Sequence, residues 1–152
     1  MALKLEDEWV WDSWIADTGH EFHLFYLHAP RALGDQFLRH ANATIGHAVS
    51  TDLRDWRVLP NALEPGPAGA WDDVATWTGS IIRQGGTWYM FYTGSSSMDD
   101  GLVQRLGLAT STDLTTWTEY PSNPISEPDP RWYERLDLNA WYDQAWRDPW
   151  VL

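Results

Sequence analysis

The 152-residue sequence contains no cysteine. This absence excludes disulfide bridges, thiol catalysis and zinc sites built on cysteine thiolates. The five histidines do not form a metal-binding set, because their spacing along the chain fits no such site. We therefore predict that the protein uses no metal and no cofactor.

Positive charge is also scarce. Ten Lys and Arg residues stand against 22 Asp and Glu residues, which gives a formal net charge of -12. A strongly acidic protein repels phosphate groups, so nucleic acid and anionic membrane surfaces are poor partners. A neutral carbohydrate remains compatible with this charge.

Long hydrophobic runs are missing as well. The first residues, MALKLEDEWVW, hold one lysine and no apolar run of signal-peptide length. No segment approaches the ~20 apolar residues that span a membrane. We predict a cytoplasmic location, or secretion if a signal peptide has been removed, and no membrane partner.

Aromatic residues, in contrast, are abundant: 12 Trp, 6 Tyr and 4 Phe. This content favours β-strands and surfaces that stack on ring-shaped ligands. With 43% hydrophobic residues, the chain can bury a core within a single domain. Trp56, Trp88 and Trp117 recur at equivalent positions and are interpreted as core residues.

An internal repeat organises the chain. Residues 11–26, WDSWIADTGHEFHLFY, align without gaps with residues 77–92, WTGSIIRQGGTWYMFY. Residues 47–56, HAVSTDLRDW, align in the same way with residues 108–117, LATSTDLTTW. Each unit predicts an apolar strand, a glycine-containing turn, an aromatic strand, a third strand and a short fourth strand. Four short antiparallel strands per unit are typical of a propeller blade.

Two pairs of acidic residues fall at loop positions of these units. Asp52 and Asp113 lie where a tight turn favours a side chain that bonds its own backbone. Asp72 and Asp73, which follow a tryptophan, are interpreted as part of a solvated loop.

The end of the chain resembles the start of a third unit, since RDPWVL resembles DSWIA near the beginning. Two blades and one strand leave an open propeller edge, and an open edge favours self-association. We predict an all-β fold and a longer parent protein of which this chain is a part. Residues 1–152 would form one incomplete catalytic domain, with blade 1 at about 8–65, blade 2 at about 71–128 and the start of blade 3 at about 145–152.

The stretch VWDSW places Asp12 inside a predicted strand, where Asp is disfavoured. The first strand of each propeller blade lines the central channel. The equivalent positions Asp12, Thr78 and Asp148 should therefore converge on one funnel. Glycosidic cleavage uses such a pair of carboxyl groups, one acting at the anomeric carbon while another group protonates the leaving oxygen.

Four segments, in order, resemble motifs of the five-bladed β-propeller glycoside hydrolases: invertases, levanases and levansucrases (glycoside hydrolase families 32 and 68, with the related family 43). VWDSW resembles the nucleophile strand of levansucrases. Residues 46–63, GHAVSTDLRDWRVLPNAL, resemble the Gly-His-Ala-x-Ser-x-Asp-Leu-x-x-Trp segment of invertases. WTGS at 77–80 resembles their Trp-Ser-Gly-Ser segment, and RDP at 147–149 resembles the Arg-Asp-Pro motif of both groups.

The resemblance implies a five-bladed propeller and a glycosidase that acts on β-fructosides such as sucrose, levan or inulin with retention of configuration. Asp12 would be the nucleophile, and Asp148 would stabilise the transition state. Thr78 would hydrogen-bond Asp12 and keep it ionised, while Arg147 would support Asp148 by its charge. The substrate-binding residues that the resemblance implies are Trp11, Trp77, Thr78 and Arg147.

The sequence also departs from the family patterns. Trp11 stands where invertases carry Asn, and Ile15 stands where levansucrases carry Pro. The family's acid/base glutamate lies beyond the Arg-Asp-Pro strand, and Glu127 and Glu134 match no acid/base motif. The chain as given is therefore predicted to lack its general acid and to be inactive alone. Two alternatives remain: a non-catalytic carbohydrate-binding propeller, and an inverting enzyme that acts on arabinosides or xylosides.

Overall fold

The computed structural model describes residues 3–152. Within this range, eight β-strands form two four-stranded antiparallel sheets, each in sequence order, β1-β2-β3-β4 and β5-β6-β7-β8. The all-β fold predicted from the repeat is confirmed. The first sheet contains β1 (Glu8–Asp17), β2 (Phe22–Pro30), β3 (Thr44–Ser50) and β4 (Arg57–Leu63). The second contains β5 (Ala75–Gln84), β6 (Thr87–Ser95), β7 (Gln104–Ser111) and β8 (Thr118–Glu119).

Three short 3-10 helices lie in the loops of the described chain, at Arg31–Leu33, Gln36–Asn42 and Ser97–Asp99. The longest of them joins β2 to β3 and lies at the rim of the cavity described below. In residues 3–152 no helix is both long and apolar enough to cross a membrane.

The two inner strands, β1 and β5, carry a β-bulge at the same position of the repeat. The register of β1 with β2 shifts between Trp11 and Ser13, and that of β5 with β6 shifts between Trp77 and Gly79. The extra residue is therefore Asp12 in β1 and its repeat counterpart Thr78 in β5. A bulged residue has no partner in the neighbouring strand, so its side chain can be aimed away from the sheet. This geometry explains why an acid lies within β1.

Asp12 also adopts an unusual backbone conformation. Its φ angle is +23°, and positive φ is uncommon for residues other than glycine, although Asp accepts it better than most. The Asp12 side chain is exposed rather than buried. The residue therefore avoids the free-energy cost of placing an unpaired carboxylate in a dry core.

The main apolar core lies between the two sheets. Full burial of a large apolar side chain stabilises the fold by about 1.5–3 kcal/mol. Trp88 is buried in this core, and Trp56 and Trp117 pack against core clusters, which confirms their interpretation. The large buried residues of this cluster are Trp14, Phe25, Leu27, Ile45, Leu63, Trp88, Met90, Tyr92 and Leu114.

The two Ser-Thr-Asp-Leu turns are built alike. Asp52 Oδ1 accepts hydrogen bonds from the backbone N–H groups of Arg54 and Asp55, each at 2.9 Å. Asp113 Oδ1 accepts the corresponding pair, at 2.8 and 2.7 Å. Both turns show the predicted bonds from side chain to backbone. These bonds favour the ionised form and lower the pKa of both carboxyl groups.

The interpretation of Asp72 as a solvated loop residue is wrong. Asp72 is only 1% exposed, and its Oδ2 accepts a hydrogen bond from the Tyr92 hydroxyl at 3.0 Å. The reason is Trp71, whose ring lies on the sheet face at Gly94 and draws the next residue inward. Burial raises the pKa of Asp72. Asp73 is half-buried and is held by hydrogen bonds from the 96–97 loop.

Residues 147–152 lie against the second sheet. The backbone N–H of Asp148 donates to Thr93 Oγ1 at 3.0 Å, and that of Val151 donates to Ser80 Oγ at 3.2 Å. Within the described chain, these residues form no strand of their own. Their position as the start of a third blade, and the blade boundaries given above, remain predictions.

A buried histidine pair lies on β2 and β3. His23 Nδ1 and His47 Nε2 are 2.9 Å apart, and the residues are 4% and 1% exposed. Glu21 contacts the other ring nitrogen of His23 at 3.3 Å. Burial, then the neighbouring His23 and Arg57, lower the pKa of His47 to about 4.

We predict that this pair makes the fold acid-sensitive. Unfolded His47 takes up a proton near pH 6.5, whereas the folded residue does so only near pH 4. The unfolded state therefore gains protons first, and the free energy of unfolding falls by roughly 3 kcal/mol as the pH drops through this window. Urea unfolding at several pH values between 7 and 4 measures this loss.

The variant His47→Gln removes the titrating group, so its stability should depend less on pH between 6.5 and 4. His20→Gln is the matched control, because His20 is exposed. An identical pH dependence in wild type and His47→Gln would show that His47 is not the source.

Candidate active site

A cavity of about 450 Å³ opens between the inner strands of the two sheets. Its wall comes from β1, β5, the Gln36–Asn42 helix and the segment that precedes and includes the Arg-Asp-Pro motif. One cavity therefore holds all six residues that the sequence predicts to be catalytic or substrate-binding. They are Trp11, Asp12, Trp77, Thr78, Arg147 and Asp148.

The centre of this cavity is a hydrogen bond between the two bulges. Thr78 Oγ1 donates to Asp12 Oδ2 at 2.6 Å, which is the predicted contact. Short O–H···O⁻ bonds of this length are among the stronger hydrogen bonds in proteins. The bond fixes the position of one oxygen of Asp12.

Asp148 faces the same cavity from the Arg-Asp-Pro motif. Its side chain is 55% exposed, and its Oδ2 lies 3.9 Å from Arg147 Nε. Partial burial raises the pKa of Asp148, and the Asp12 carboxylate raises it further, whereas Arg147 and the Thr78 hydroxyl oppose the increase.

An aromatic wall closes one side of the cavity. His40 lies edge-on to both Trp11 and Trp77, with ring centroids 5.9 and 6.2 Å apart. Trp77 Nε1 donates to the backbone carbonyl of His40 at 2.7 Å, so the 3-10 helix is tied to β5. Arg39 covers the Trp11 ring at 5.4 Å from its centroid. Burial and the Arg39 charge lower the pKa of His40.

Sequence reasoning missed five residues of the cavity, of which Leu27 is a buried core residue of β2. Arg39 and His40 lie in the β2–β3 loop, which is longer than the corresponding β6–β7 loop, so the repeat could not indicate them. Tyr142 and Asp143 line the opposite side. Asp143 precedes Arg147 by four residues and pairs with it at 2.8 Å, and this spacing is the one signal in the sequence that pointed to it.

No glutamate lines the cavity within residues 3–152. Its carboxyl groups are those of Asp12, Asp143 and Asp148. Glu127 pairs with Arg105 at 2.7 Å, and Glu134 lies in a separate depression. Likewise, the described residues hold no cluster of three or more His, Asp or Glu side chains that could bind a metal ion.

We predict that Thr93 holds Asp148 in the cavity. Its hydroxyl accepts from the Asp148 N–H at 3.0 Å and donates to the Thr78 carbonyl at 3.1 Å. Thr93→Val keeps the shape but leaves both groups unpaired, which should lower the free energy of unfolding by about 1–3 kcal/mol. It should also accelerate hydrogen exchange of the Asp148 amide, measured by NMR.

Thr93→Ser is the control, since it keeps the hydroxyl and should exchange at nearly the wild-type rate. Unchanged exchange at Asp148 in Thr93→Val would contradict this role of Thr93.

Comparison with known proteins identifies the family. The family model "Glycosyl hydrolases family 32 N-terminal domain" matches residues 13–152. Among curated proteins, sucrose:sucrose 1-fructosyltransferase of Festuca arundinacea is 37% identical over 142 residues, which cover 85% of this chain and 20% of that protein. Acid beta-fructofuranosidase AIV-18 of Capsicum annuum is 39% identical over 116 residues, which cover 72% of this chain and 16% of that protein.

A solved structure agrees with these relatives. Fructan 1-exohydrolase IIa from Cichorium intybus superimposes with a TM-score of 0.68 at 29% identity, covering 84% of this chain and 24% of that one. The chain thus spans about a fifth of the length of the curated relatives that it matches. The match to the family model covers nearly the whole chain, and the chain belongs to glycosyl hydrolase family 32.

Proposed function

We propose that the chain contributes part of the active site of a retaining enzyme that cleaves β-fructosides. One observation carries this proposal: Asp12 and Asp148 share a cavity walled by Trp11 and Trp77, and Thr78 donates to Asp12 at 2.6 Å. This arrangement provides a positioned carboxylate, a second carboxyl group and apolar ring faces. Those are the components that glycoside cleavage requires.

The names of the relatives support the choice of substrate. One is a sucrose:sucrose 1-fructosyltransferase and another an acid beta-fructofuranosidase, so both names refer to fructosyl groups. Transfer and hydrolysis share a first step, in which the enzyme takes up the fructosyl unit. They differ in whether a sugar hydroxyl or water receives it. Our proposal concerns the shared step and leaves the acceptor open.

In the first step, one oxygen of Asp12 attacks the anomeric carbon of the fructosyl unit while the bond to the leaving oxygen breaks. A protonated acid supplies the proton to that oxygen. Since no glutamate lines the described cavity, we propose that this acid comes from another part of the full-length protein. Water or a sugar hydroxyl then attacks the same carbon, gives its proton back to the acid, and releases Asp12.

The other cavity residues support this step. The Thr78 hydrogen bond engages Oδ2 of Asp12 and leaves the other oxygen for attack. The negative charges of Asp12 and Asp148 favour an oxocarbenium-like transition state. Trp11 and Trp77 offer ring faces to the C–H side of the sugar, and Arg147 offers donors to its hydroxyl groups.

We predict that Asp12→Asn abolishes turnover without abolishing sugar binding. Removal of a residue that reacts directly with the substrate commonly lowers kcat by about 10⁴-fold or more. The assay is sucrose hydrolysis by the full-length protein that contains these residues, with fructose binding measured by tryptophan fluorescence. Asp17→Asn, on the exposed end of the same strand, is the matched control and should keep normal activity.

Other outcomes would indicate a different function or mechanism. Normal sucrose hydrolysis by Asp12→Asn would remove the nucleophile assignment. A wild type that binds fructose but turns over no glycoside would indicate a carbohydrate-binding propeller. NMR of the first product anomer separates a retaining enzyme, which preserves the β configuration, from an inverting one.

We further propose that the 152-residue chain self-associates through its open edge. Two apolar side chains are exposed near this edge: Ile15 of β1 is 46% exposed and Trp150 is 74% exposed. Apolar side chains exposed next to an unpaired sheet edge favour association. Light scattering should give a mass above 17.5 kDa, whereas a monomer with a sharp thermal transition would contradict this.

A further inference from the structure

Arg147 is held by a closed polar triangle beside the cavity. Its Nη1 donates to Gln104 Oε1 at 3.0 Å and to Asp143 Oδ2 at 2.8 Å. Gln104 Nε2 in turn donates to the same Asp143 oxygen at 3.1 Å. A glutamine amide has both a donor and an acceptor, so Gln104 satisfies the cation and the carboxylate together.

The triangle is anchored in the fold rather than at the surface. Gln104 is the first residue of β7 and is 1% exposed. Its backbone N–H donates to the Gln144 carbonyl at 3.2 Å, which fixes the chain next to Asp143. The Asp143 side chain is 7% exposed, and a charge buried to this degree requires partners.

This anchoring leaves Arg147 at a distance from Asp148. Arg147 Nε lies 3.9 Å from Asp148 Oδ2, which is too far for a hydrogen bond. A free guanidinium would form a two-bond fork with the adjacent carboxylate. Gln104 and Asp143 hold the guanidinium by Nη1 in a position from which its Nε and Nη2 edge does not reach Asp148, so that fork does not close.

The consequence concerns the sugar. A carboxylate has about four acceptor sites, so two bonds from an arginine would leave about half of them for substrate hydroxyl groups. In the present arrangement Asp148 keeps its 55% exposure, and neither Nε nor Nη2 of Arg147 makes a hydrogen bond to the described residues. Both groups therefore remain open toward the cavity that they line.

We propose that Gln104 and Asp143 are positioning residues that keep Arg147 from closing onto Asp148, so that both can bind the hydroxyl groups of a fructosyl unit. The identity of the ligand as a fructosyl unit rests on the proposed function. The restraint on Arg147 does not, and it can be measured without any sugar.

The experiment follows the carboxyl carbon of Asp148 by NMR as the pH changes, with the signal assigned from Asp148→Asn. Gln104→Leu removes both side-chain bonds of the glutamine, and Asp143→Asn removes the competing charge while keeping its shape. In either variant Arg147 should turn toward Asp148. The titration midpoint of Asp148 should then fall by about one pH unit, the usual effect of a closely paired cation.

Gln84→Leu is the matched control, because it makes the same chemical change at the exposed end of β5. A second control is the Arg147→Met background, in which Gln104→Leu should no longer move the Asp148 midpoint. The groups that face Asp148 and also affect its titration, Asp12 and Thr78, are unchanged in every variant.

In wild type and Gln84→Leu, fructose binding measured by tryptophan fluorescence should be equal, and in Gln104→Leu it should weaken about tenfold. A midpoint that stays constant or rises in folded Gln104→Leu and Asp143→Asn would overturn the proposal and leave the triangle a structural tether. If Gln104→Leu does not fold, Asp143→Asn decides alone. If wild type fails to bind fructose, the proposed function fails, while the titration still decides whether Arg147 is restrained.

Discussion

The hydrogen bond from Thr78 to Asp12 joins the two sheets at the point where both inner strands bulge. The arrangement of the cavity follows from it. Each bulge releases one residue from the backbone ladder, and the two released side chains meet between the blades. A carboxylate at that point requires a solvent-accessible cavity, since burial without partners would be costly. The tryptophans that precede the bulged residues, Trp11 and Trp77, then become the walls of this cavity.

Buried side chains extend this constraint to a third piece of the chain. The hydroxyl groups of Thr93 and Ser80 hold the backbone of residues 147–152 against the second sheet, and Gln104 restrains the arginine of that segment. The positive groups at the cavity are thus held in place before any ligand arrives, Arg147 through its Nη1 and Arg39 over a tryptophan ring, while Nε and Nη2 of Arg147 stay open toward the cavity. The exposed carboxyl groups of the cavity are left facing the position of the ligand.

The sequence predicted the features that repeat. Alignment of the two units predicted the sheets, the Asp52 and Asp113 turns, and the convergence of Asp12 and Thr78, because equivalent residues of equivalent strands meet in space. The hydrogen bond between Asp12 and Thr78 was implied by the resemblance to the glycoside hydrolases. It failed where one unit differs from the other. The loop that carries His40 is longer than its counterpart between β6 and β7, so nothing in the pattern placed His40 at the cavity. Asp72 was misread because its burial depends on a ring packed against a distant glycine, a contact without local sequence signal.

The bulge at Asp12 has a consequence for how β1 tolerates change. Side chains of a strand alternate between its two faces, so Trp11 and Trp14, three residues apart, would point in opposite directions in a regular strand. With one unpaired residue between them, both pack with the same core cluster. Deleting position 12 would leave Trp11 and Trp14 two positions apart in a regular strand with their present partners, and both would still face the core. The bulge therefore adds a carboxyl group to the cavity without changing which side chains of the first blade face the core.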